Sequence, residues 1–143
     1  MFFGEYTYNL DEKGRIALPP KFRQKFAKGI VITRGLDKCL FAYPIDEWKK
    51  IAEKLGNLPT TQKNARAYGR LMLAGAMDLI PDKQGRIVIP LYLRKYAGLK
   101  SKIVICGLYN RVEIWDAKEW EEFKKKAEKA SEEIAETLSE LGI

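Results

Sequence analysis

The sequence predicts an α+β fold in which one small unit occurs twice along the chain. The nine residues DEKGRIALP at 11–19 recur as DKQGRIVIP at 82–90, and both fit the pattern D-x-x-G-R-I-x-[I/L]-P. The similarity continues beyond the motif, as far as a Glu-Trp pair at 47–48 and again at 119–120. A sequence unit that occurs twice predicts a structural unit that occurs twice in the fold. Each unit alone is of a size at which an isolated core is marginal, so we expect the two units to share one core or to associate with other subunits.

The first copy shows the elements of the unit in order. Alternating aromatic and polar residues predict a strand at 5–10. Asp11 to Gly14 predicts a turn, because Asp can accept a hydrogen bond from the backbone two residues on and Gly tolerates positive φ. Arg15 to Leu18 returns as a strand that the following prolines stop. The remaining elements are a short helix, two strands and a longer helix, at 21–26, 30–33, 40–43 and 46–55.

The second copy follows a connecting helix predicted at 61–73. Its strands are predicted at 77–81, 86–89, 103–105 and 112–115, with a short helix at 91–96. Asp116 and Glu119 resemble a capping pair for a last helix, whose apolar residues recur at spacings of three and four: Trp120, Phe123, Ala127, Ala130, Ile134, Leu138 and Leu141. The chain therefore divides into domain 1 at 5–56, a linker with its connecting helix at 57–75, domain 2 at 76–125 and a helical tail at 126–143.

The charge is distributed unevenly along the chain. The net charge of +7 combines +12 over residues 1–112 with −5 over residues 113–143. A basic body indicates a polyanionic partner. Binding to a membrane surface requires a basic amphipathic helix, but the longest predicted helix is acidic, and no apolar run approaches the length of a membrane span. Nucleic acid is therefore favoured over membrane.

Catalytic chemistry has few residues to work with. The chain has no histidine, which excludes histidine-dependent triads and leaves no metal site of the usual kind. Cys39 and Cys106 have no imidazole to activate them and are predicted to be buried, reduced thiols. No phosphate-binding glycine loop is present. We therefore expect no enzyme, no catalytic residue, no metal and no cofactor.

Arg15 and Arg86 are the candidate functional residues. Each follows the glycine of a tight turn (Gly14 or Gly85) and begins a strand. A guanidinium group held there can bind phosphate or donate to guanine O6 and N7 in the major groove. The alternative is an intramolecular pair with Asp11 or Asp82, four residues earlier. The motif alone does not decide between the two, and the basic charge favours DNA.

Other basic residues offer a wider surface for phosphate contacts. Lys13 and Lys83 lie in the two turns. The remaining candidates are spread over both copies: Lys21, Arg23, Lys25, Arg34, Arg94, Lys95 and Lys100. For any single one of these, a solvated surface charge is the more common role. The apolar stripe of the last helix packs either on its own domain or against a neighbouring subunit.

The paired motifs, the opening MFFGEYTYNLDEKGRIALPPKFR and the segment AMDLIPDKQGRIVIPLYLRKYAGL resemble the MraZ family of bacterial transcriptional regulators. That resemblance implies two tandem AbrB-like (SpoVT-AbrB) DNA-binding domains, which form β-barrel-type units sharing a core with flanking helices. It also implies a homo-oligomeric ring that binds short, G-rich direct repeats in double-stranded DNA.

The same resemblance implies a location and a target. The protein is expected in the cytoplasm on the nucleoid, as a repressor of the division and cell-wall gene cluster. The DNA-facing positions carried over are Asp11–Arg15 and Asp82–Arg86. One departure is Gln84, which stands where the first copy has Lys13.

Two other functions remain open. If the basic charge serves only solubility, the first alternative is an oligomeric protein-interaction module without specific DNA binding. The second is an AbrB-type antitoxin, if the tail neutralises a toxin; the ordered, amphipathic character of the tail argues against this.

Overall fold

A computed structural model describes residues 1–143. Eight strands form, at Phe2–Asn9 (β1), Arg15–Ala17 (β2), Ile30–Arg34 (β3), Leu40–Pro44 (β4), Met77–Leu79 (β5), Arg86–Val88 (β6), Lys102–Tyr109 (β7) and Arg111–Asp116 (β8). Six α-helices accompany them, at Pro20–Arg23 (α1), Ile45–Gly56 (α2), Lys63–Gly69 (α3), Leu91–Tyr96 (α4), Ala117–Lys129 (α5) and Ser131–Thr137 (α6). The predicted α+β class is confirmed.

The strands pair across the two repeats. Six of them form one antiparallel sheet in the order β1-β7-β8-β4-β3-β5. The outer strand β1 of the first repeat pairs with β7 of the second, and β5 of the second pairs with β3 of the first. If each strand is replaced by its counterpart in the other repeat, the same order is obtained, read from the opposite edge of the sheet. The sheet therefore has an approximate twofold symmetry between β4 and β8. The two repeats are interlocked.

The remaining strands, β2 and β6, form a two-stranded antiparallel ribbon. Between ribbon and sheet lies a core of 17 buried residues drawn from both repeats, including Phe22 and Phe26 beside α1 and Leu93 on α4. Phe2 at the start of β1 stacks on Phe26, with ring centroids 5.1 Å apart. The predicted shared core is therefore confirmed.

The opposite face of the six-stranded sheet carries a second core. Along β4 the side chains alternate, so that Leu40 and Ala42 join the first core while Phe41 and Tyr43 join the second. The same alternation holds along β7 and β8. Helices α2 and α5 contribute to the second core, and Trp48 and Trp120 pack against it. Because both faces of the central strands are covered, β4 and β7 are almost entirely apolar.

Both cysteines lie in this second core. Cys39 and Cys106 are buried and unpaired, as the sequence predicts. Burial raises the pKa of the Cys106 thiol to about 12 and raises the pKa of Cys39 as well. A thiol that stays protonated is a poor nucleophile.

The connecting segment differs from the single helix predicted at 61–73. Helix α3 continues as a π-helical turn at Arg70–Ala74. Thr33 Oγ1 donates to the Met72 carbonyl at 2.7 Å, and an Arg34 Nη1 donates to the Leu71 carbonyl at 3.1 Å. Both donors lie on β3, so hydrogen bonds from the sheet satisfy two carbonyl groups of the π-helical turn.

The predicted C-terminal helix is interrupted. It forms as α5 and α6, with a break at Ala130. Asp116 lies at the predicted N-cap position of α5, but the capping interaction predicted for it and Glu119 is wrong. The Asp116 side chain makes no capping hydrogen bond and instead accepts from the backbone N–H of Lys100 at 3.1 Å. Along α5, Trp120 Nε1 donates to Glu5 on β1 at 3.0 Å, so this part of the apolar stripe packs on its own chain. The apolar residues of α6 remain exposed.

None of the helices combines the length and the apolar character that crossing a lipid bilayer requires.

Candidate nucleic-acid interface

Each repeat carries a loop that is organised by one aspartate. Asp11 Oδ1 accepts from the backbone N–H groups of Lys13 and Arg15, both at 2.9 Å, and its Oδ2 accepts from Arg15 Nε at 2.7 Å. The backbone closes the same turn, since Gly14 N–H donates to the Asp11 carbonyl at 3.0 Å. One carboxylate therefore fixes both the turn and the arginine that follows it.

The second loop repeats this geometry. Asp82 Oδ1 accepts from the backbone N–H groups of Gln84 and Arg86 at 2.9 Å, and its Oδ2 accepts from Arg86 Nε at 2.9 Å. Gly85 N–H donates to the Asp82 carbonyl at 2.9 Å. Because Lys13 and Gln84 contribute a backbone N–H here, the difference in their side chains leaves the loop unchanged.

The β2–β6 ribbon brings the two loops together. Arg15 is opposite Val88, and Arg86 is opposite Ala17. Residues that alternate along a strand point to opposite faces, so the arginines share one face of the ribbon while Ile16 takes the other, buried face. The arginines are diagonal neighbours, for which a Cα separation of about 7–8 Å is typical. Val88, on the same face, is 48% exposed, so this face is open to solvent.

The structure shows one of the two arrangements that the sequence left open for the arginines. The pairing of each arginine with its own aspartate is present. Pairing does not bury the arginines, however, because the side chains of Arg15 and Arg86 remain 38% and 40% exposed. Each pair uses Nε, and the Nη groups make no hydrogen bond within the chain. The aspartate therefore orients a guanidinium group whose outer edge remains available.

The paired aspartates have altered acidity. The backbone N–H of Arg15, followed by its side chain, lowers the pKa of Asp11 below its usual value. The backbone N–H of Arg86 does the same to the pKa of Asp82, more strongly than desolvation opposes it. The ionised form is the one that accepts these hydrogen bonds.

We expect the loop geometry to survive acidification to below the usual aspartate range. A carboxyl with a lowered folded-state pKa contributes stability above its unfolded pKa, and this contribution is lost as the pH falls through the folded value. Carboxyl ¹³C titration by NMR should therefore give Asp11 and Asp82 lower midpoints in the native protein than in the urea-unfolded chain. Equal midpoints in the two states would contradict the hydrogen-bonding scheme.

The two loop glycines are required for two separate reasons. Gly14 has φ +82°, where L side chains are strained. A Cβ on Gly14 would also lie 2.7 Å from Arg94 Cζ and 2.9 Å from the Ile89 carbonyl oxygen. Gly85, with φ +73°, is covered in the same way by Arg23.

Gly98 offers a matched control for Gly14, because it has φ +59° but no neighbour within 4 Å of a Cβ. Gly98→Ala should cost about 1–2 kcal/mol, the usual penalty for a left-handed residue. Gly14→Ala should cost more than this, because it adds overlap with Arg94. Urea unfolding of both variants measures the difference. Equal losses would mean that the Arg94 contact places no constraint on the loop.

The other basic residues divide into two groups. Lys13 and Lys83 are exposed in the loops. Arg34, one of the residues considered for phosphate contacts, makes contacts within the chain. Its guanidinium lies 5.9 and 5.8 Å from the ring centroids of Tyr92 and Tyr96, and it donates to the Leu71 carbonyl. Arg34 thus joins the two repeats, and its part in the phosphate surface stays a prediction.

Sequence reasoning missed the specific placement of Arg23 and Arg94 beside the loops. These residues occupy equivalent positions in the two copies. That equivalence was the available signal, but the contact each makes with the opposite repeat is visible only in the structure.

Comparison with known proteins places the chain in a family. The family model described as "MraZ protein, putative antitoxin-like" matches it twice, over residues 1–71 and 72–141. The chain is 51% identical to "Transcriptional regulator MraZ" of Halothermothrix orenii over 143 residues, which is all of both chains. It is 48% identical over the same full lengths to proteins of that name from Syntrophomonas wolfei and Caldanaerobacter subterraneus subsp. tengcongensis. The chain belongs to the MraZ family.

Proposed function

We propose that this protein is a sequence-specific DNA-binding transcriptional regulator that represses the bacterial division and cell-wall gene cluster. The observation that carries the proposal is the pair of exposed arginines, Arg15 and Arg86, on one face of the ribbon. The relatives named as transcriptional regulators over their full length support it. The protein would act in the cytoplasm, on the nucleoid.

The arginine geometry suits recognition of a base edge. A guanidinium group can donate two parallel hydrogen bonds to O6 and N7 of guanine, the commonest specific contact in the major groove. Asp11 and Asp82 engage Nε and leave the Nη groups free. Holding the side chain in one orientation also reduces the entropy lost on binding.

The loop lysines suit contacts with the backbone of DNA. Lys13 and Lys83 extend from the same loops as the arginines, on a part of the chain with a net charge of +12. Phosphate contacts fix the register of a protein on the duplex, whereas base contacts specify the sequence. The two roles therefore belong to neighbouring residues of one loop.

Binding by one subunit alone would be weak, since each ribbon offers few base contacts. Several subunits on regularly spaced repeats gain affinity through effective concentration when the geometries match. Direct repeats suit neighbours related head to tail, and a head-to-tail interface that closes gives a ring. The proposal therefore includes a homo-oligomeric ring on short direct repeats.

The decisive experiment selects bound fragments from the source bacterium's genomic DNA and measures the mass of the protein by light scattering in parallel. Enrichment of short direct repeats from the promoter of the division and cell-wall cluster is expected, together with a mass of several subunits. Recovery of fragments without a shared repeat would contradict specific regulation. Failure to retain any duplex would favour a protein-interaction module instead.

Replacing Lys13 with alanine should weaken binding to all sequences equally. Loss of one phosphate contact should reduce the slope of log affinity against log salt by about one unit. Lys63→Ala, which removes an exposed lysine from α3, is the control. Salt titrations of a repeat-bearing duplex and a scrambled duplex measure both variants. An unchanged slope for Lys13→Ala would remove this lysine from the interface.

A further inference from the structure

Arg23 and Arg94 are held rigidly at the ends of the ribbon strands. Arg94 Nε donates to the Ile89 carbonyl at 2.9 Å, and Arg23 Nε donates to the Leu18 carbonyl at 3.0 Å. In each repeat the acceptor lies five residues before the arginine, just beyond the end of β2 or β6. Each guanidinium group is therefore fixed to the backbone of its own repeat.

Each of these arginines covers the loop of the opposite repeat. The Arg94 guanidinium lies against Gly14, where a Cβ would be 2.7 Å from both Cζ and Nε. Arg23 covers Gly85 in the same way. Backbone hydrogen bonds reinforce the crossing, since Ile89 N–H donates to the Gly14 carbonyl at 2.8 Å. The loop of one repeat is thus enclosed by the strand end and the arginine of the other.

We propose that Arg94 is a positioning residue for the Asp11–Arg15 loop and that Arg23 is the positioning residue for the Asp82–Arg86 loop. Each DNA-reading loop is then a composite of both repeats. This inference rests on the proposed DNA-binding function, and it adds to that function the residues that keep each reading arginine in place.

The chemistry of the contact explains why arginine is needed. A planar guanidinium group can lie flat against a residue without a side chain while its Nε donates to a carbonyl. A lysine carries the same charge but cannot do both. Without the guanidinium group, the loop would retain its internal Asp–Arg hydrogen bonds but lose the contact at its glycine that limits its movement.

A double-mutant cycle distinguishes the crossed arrangement from an arrangement within one repeat. Arg94→Met keeps the apolar stem and removes the guanidinium group, and it should weaken binding to a repeat-bearing duplex about tenfold, an effect typical of coupled residues. In the Arg15→Ala background, Arg94→Met should have almost no further effect. In the Arg86→Ala background, its full effect should remain. The reverse pattern, or full additivity in both backgrounds, would overturn the proposal.

Charge-preserving and salt-dependent measurements separate positioning from direct phosphate contact. Arg94→Lys should bind as weakly as Arg94→Met, and the slope of log affinity against log salt should be unchanged in both variants. If Arg94 instead contacts phosphate, the lysine variant retains binding and the methionine variant loses about one unit of slope. Either of those results would overturn the positioning role. Arg70→Met, which removes an exposed arginine of the π-turn, should change none of these values.

A measurement on the free protein makes the inference independent of DNA binding. Backbone ¹⁵N relaxation should show increased motion at Gly14 in Arg94→Met and at Gly85 in Arg23→Met, with the other loop unchanged in each. Unaltered relaxation in both variants would overturn the positioning role. If the parent protein shows no preference for any DNA while relaxation changes as expected, the proposed function fails and the crossed support of the loops stands. Thermal unfolding of each variant confirms that it is folded.

Discussion

Replacing Arg15 or Arg86 with alanine should abolish the preference for direct repeats over random duplex. A good bidentate contact between arginine and guanine is worth about 1–3 kcal/mol of discrimination. In an oligomer the same loss recurs in every bound subunit, so the total effect on a multi-repeat site should far exceed that of one contact. Competition between labelled repeat DNA and unlabelled random duplex measures the preference directly.

The control for this prediction must separate recognition from loop damage. Arg70→Ala removes an arginine of equal charge from the exposed π-turn and should retain the preference. The amide shifts of Gly14 and Gly85 show whether each loop still forms in the Arg15 and Arg86 variants. If both loop variants discriminate like the parent while their loops remain intact, then these arginines do not read the base sequence.

Replacing Glu113 with alanine should produce the largest loss of stability among the charged residues. Glu113 is 8% exposed. Its Oε2 accepts from Arg111 Nη2 at 2.9 Å, and its Oε1 accepts from Trp115 Nε1 at 3.1 Å. The Arg111 guanidinium also lies 4.6 Å from the centroid of the Phe41 ring. Removing the carboxylate leaves a cation and an indole N–H without their acceptor.

The expected loss is about 3 kcal/mol, the lower end of the range for breaking a buried ion pair. The lower end applies because the Arg111 side chain is 31% exposed and water can partly replace the carboxylate. Whole domains are stable by only about 5–15 kcal/mol, so the loss is a large fraction of the total. Urea unfolding with a constant m value measures it.

Two further variants serve as comparisons for the stability loss of Glu113→Ala. Glu113→Gln keeps the shape and one of the two acceptor oxygens, and should lose less than Glu113→Ala. Glu47→Ala breaks an exposed pair with Lys50 on α2 and should lose no more than about 0.5 kcal/mol. A Glu113→Ala variant as stable as Glu47→Ala would show that the network contributes nothing to the fold.

The local structure was largely predictable from sequence because it depends on neighbouring residues. The strand, turn and strand around each D-x-x-G-R motif follow from an aspartate and a glycine within a few positions of each other. The strand β1 begins at Phe2 rather than at the predicted residue 5. At its start the exposed Phe3 and a glycine with φ +92° at position 4 interrupt the polar and aromatic alternation, so the pattern did not reveal those residues.

The pairing of strands across repeats was not predictable in detail. Repetition indicates a shared core, but it does not say which strand of one copy lies beside which strand of the other. The contacts of Arg34 were not predictable for the same reason, because the two tyrosines beside it belong to the second repeat. The contacts of Arg23 and Arg94 also cross between repeats. Residue spacing reports on neighbours within one segment, and these interactions join segments far apart in sequence.

The exchange of strands between repeats has a consequence for folding during translation. β1 is synthesised well before its hydrogen-bonding partner β7, with Phe2 opposite Tyr109. The hydrogen-bonding groups of β1 in the nascent first repeat therefore remain unpaired until β7 has been translated. Unpaired strand edges attract other chains, and contacts between distant residues slow folding. A polysome holds many incomplete chains with an unpaired β1 close together. We therefore expect this chain to be most prone to aggregation there.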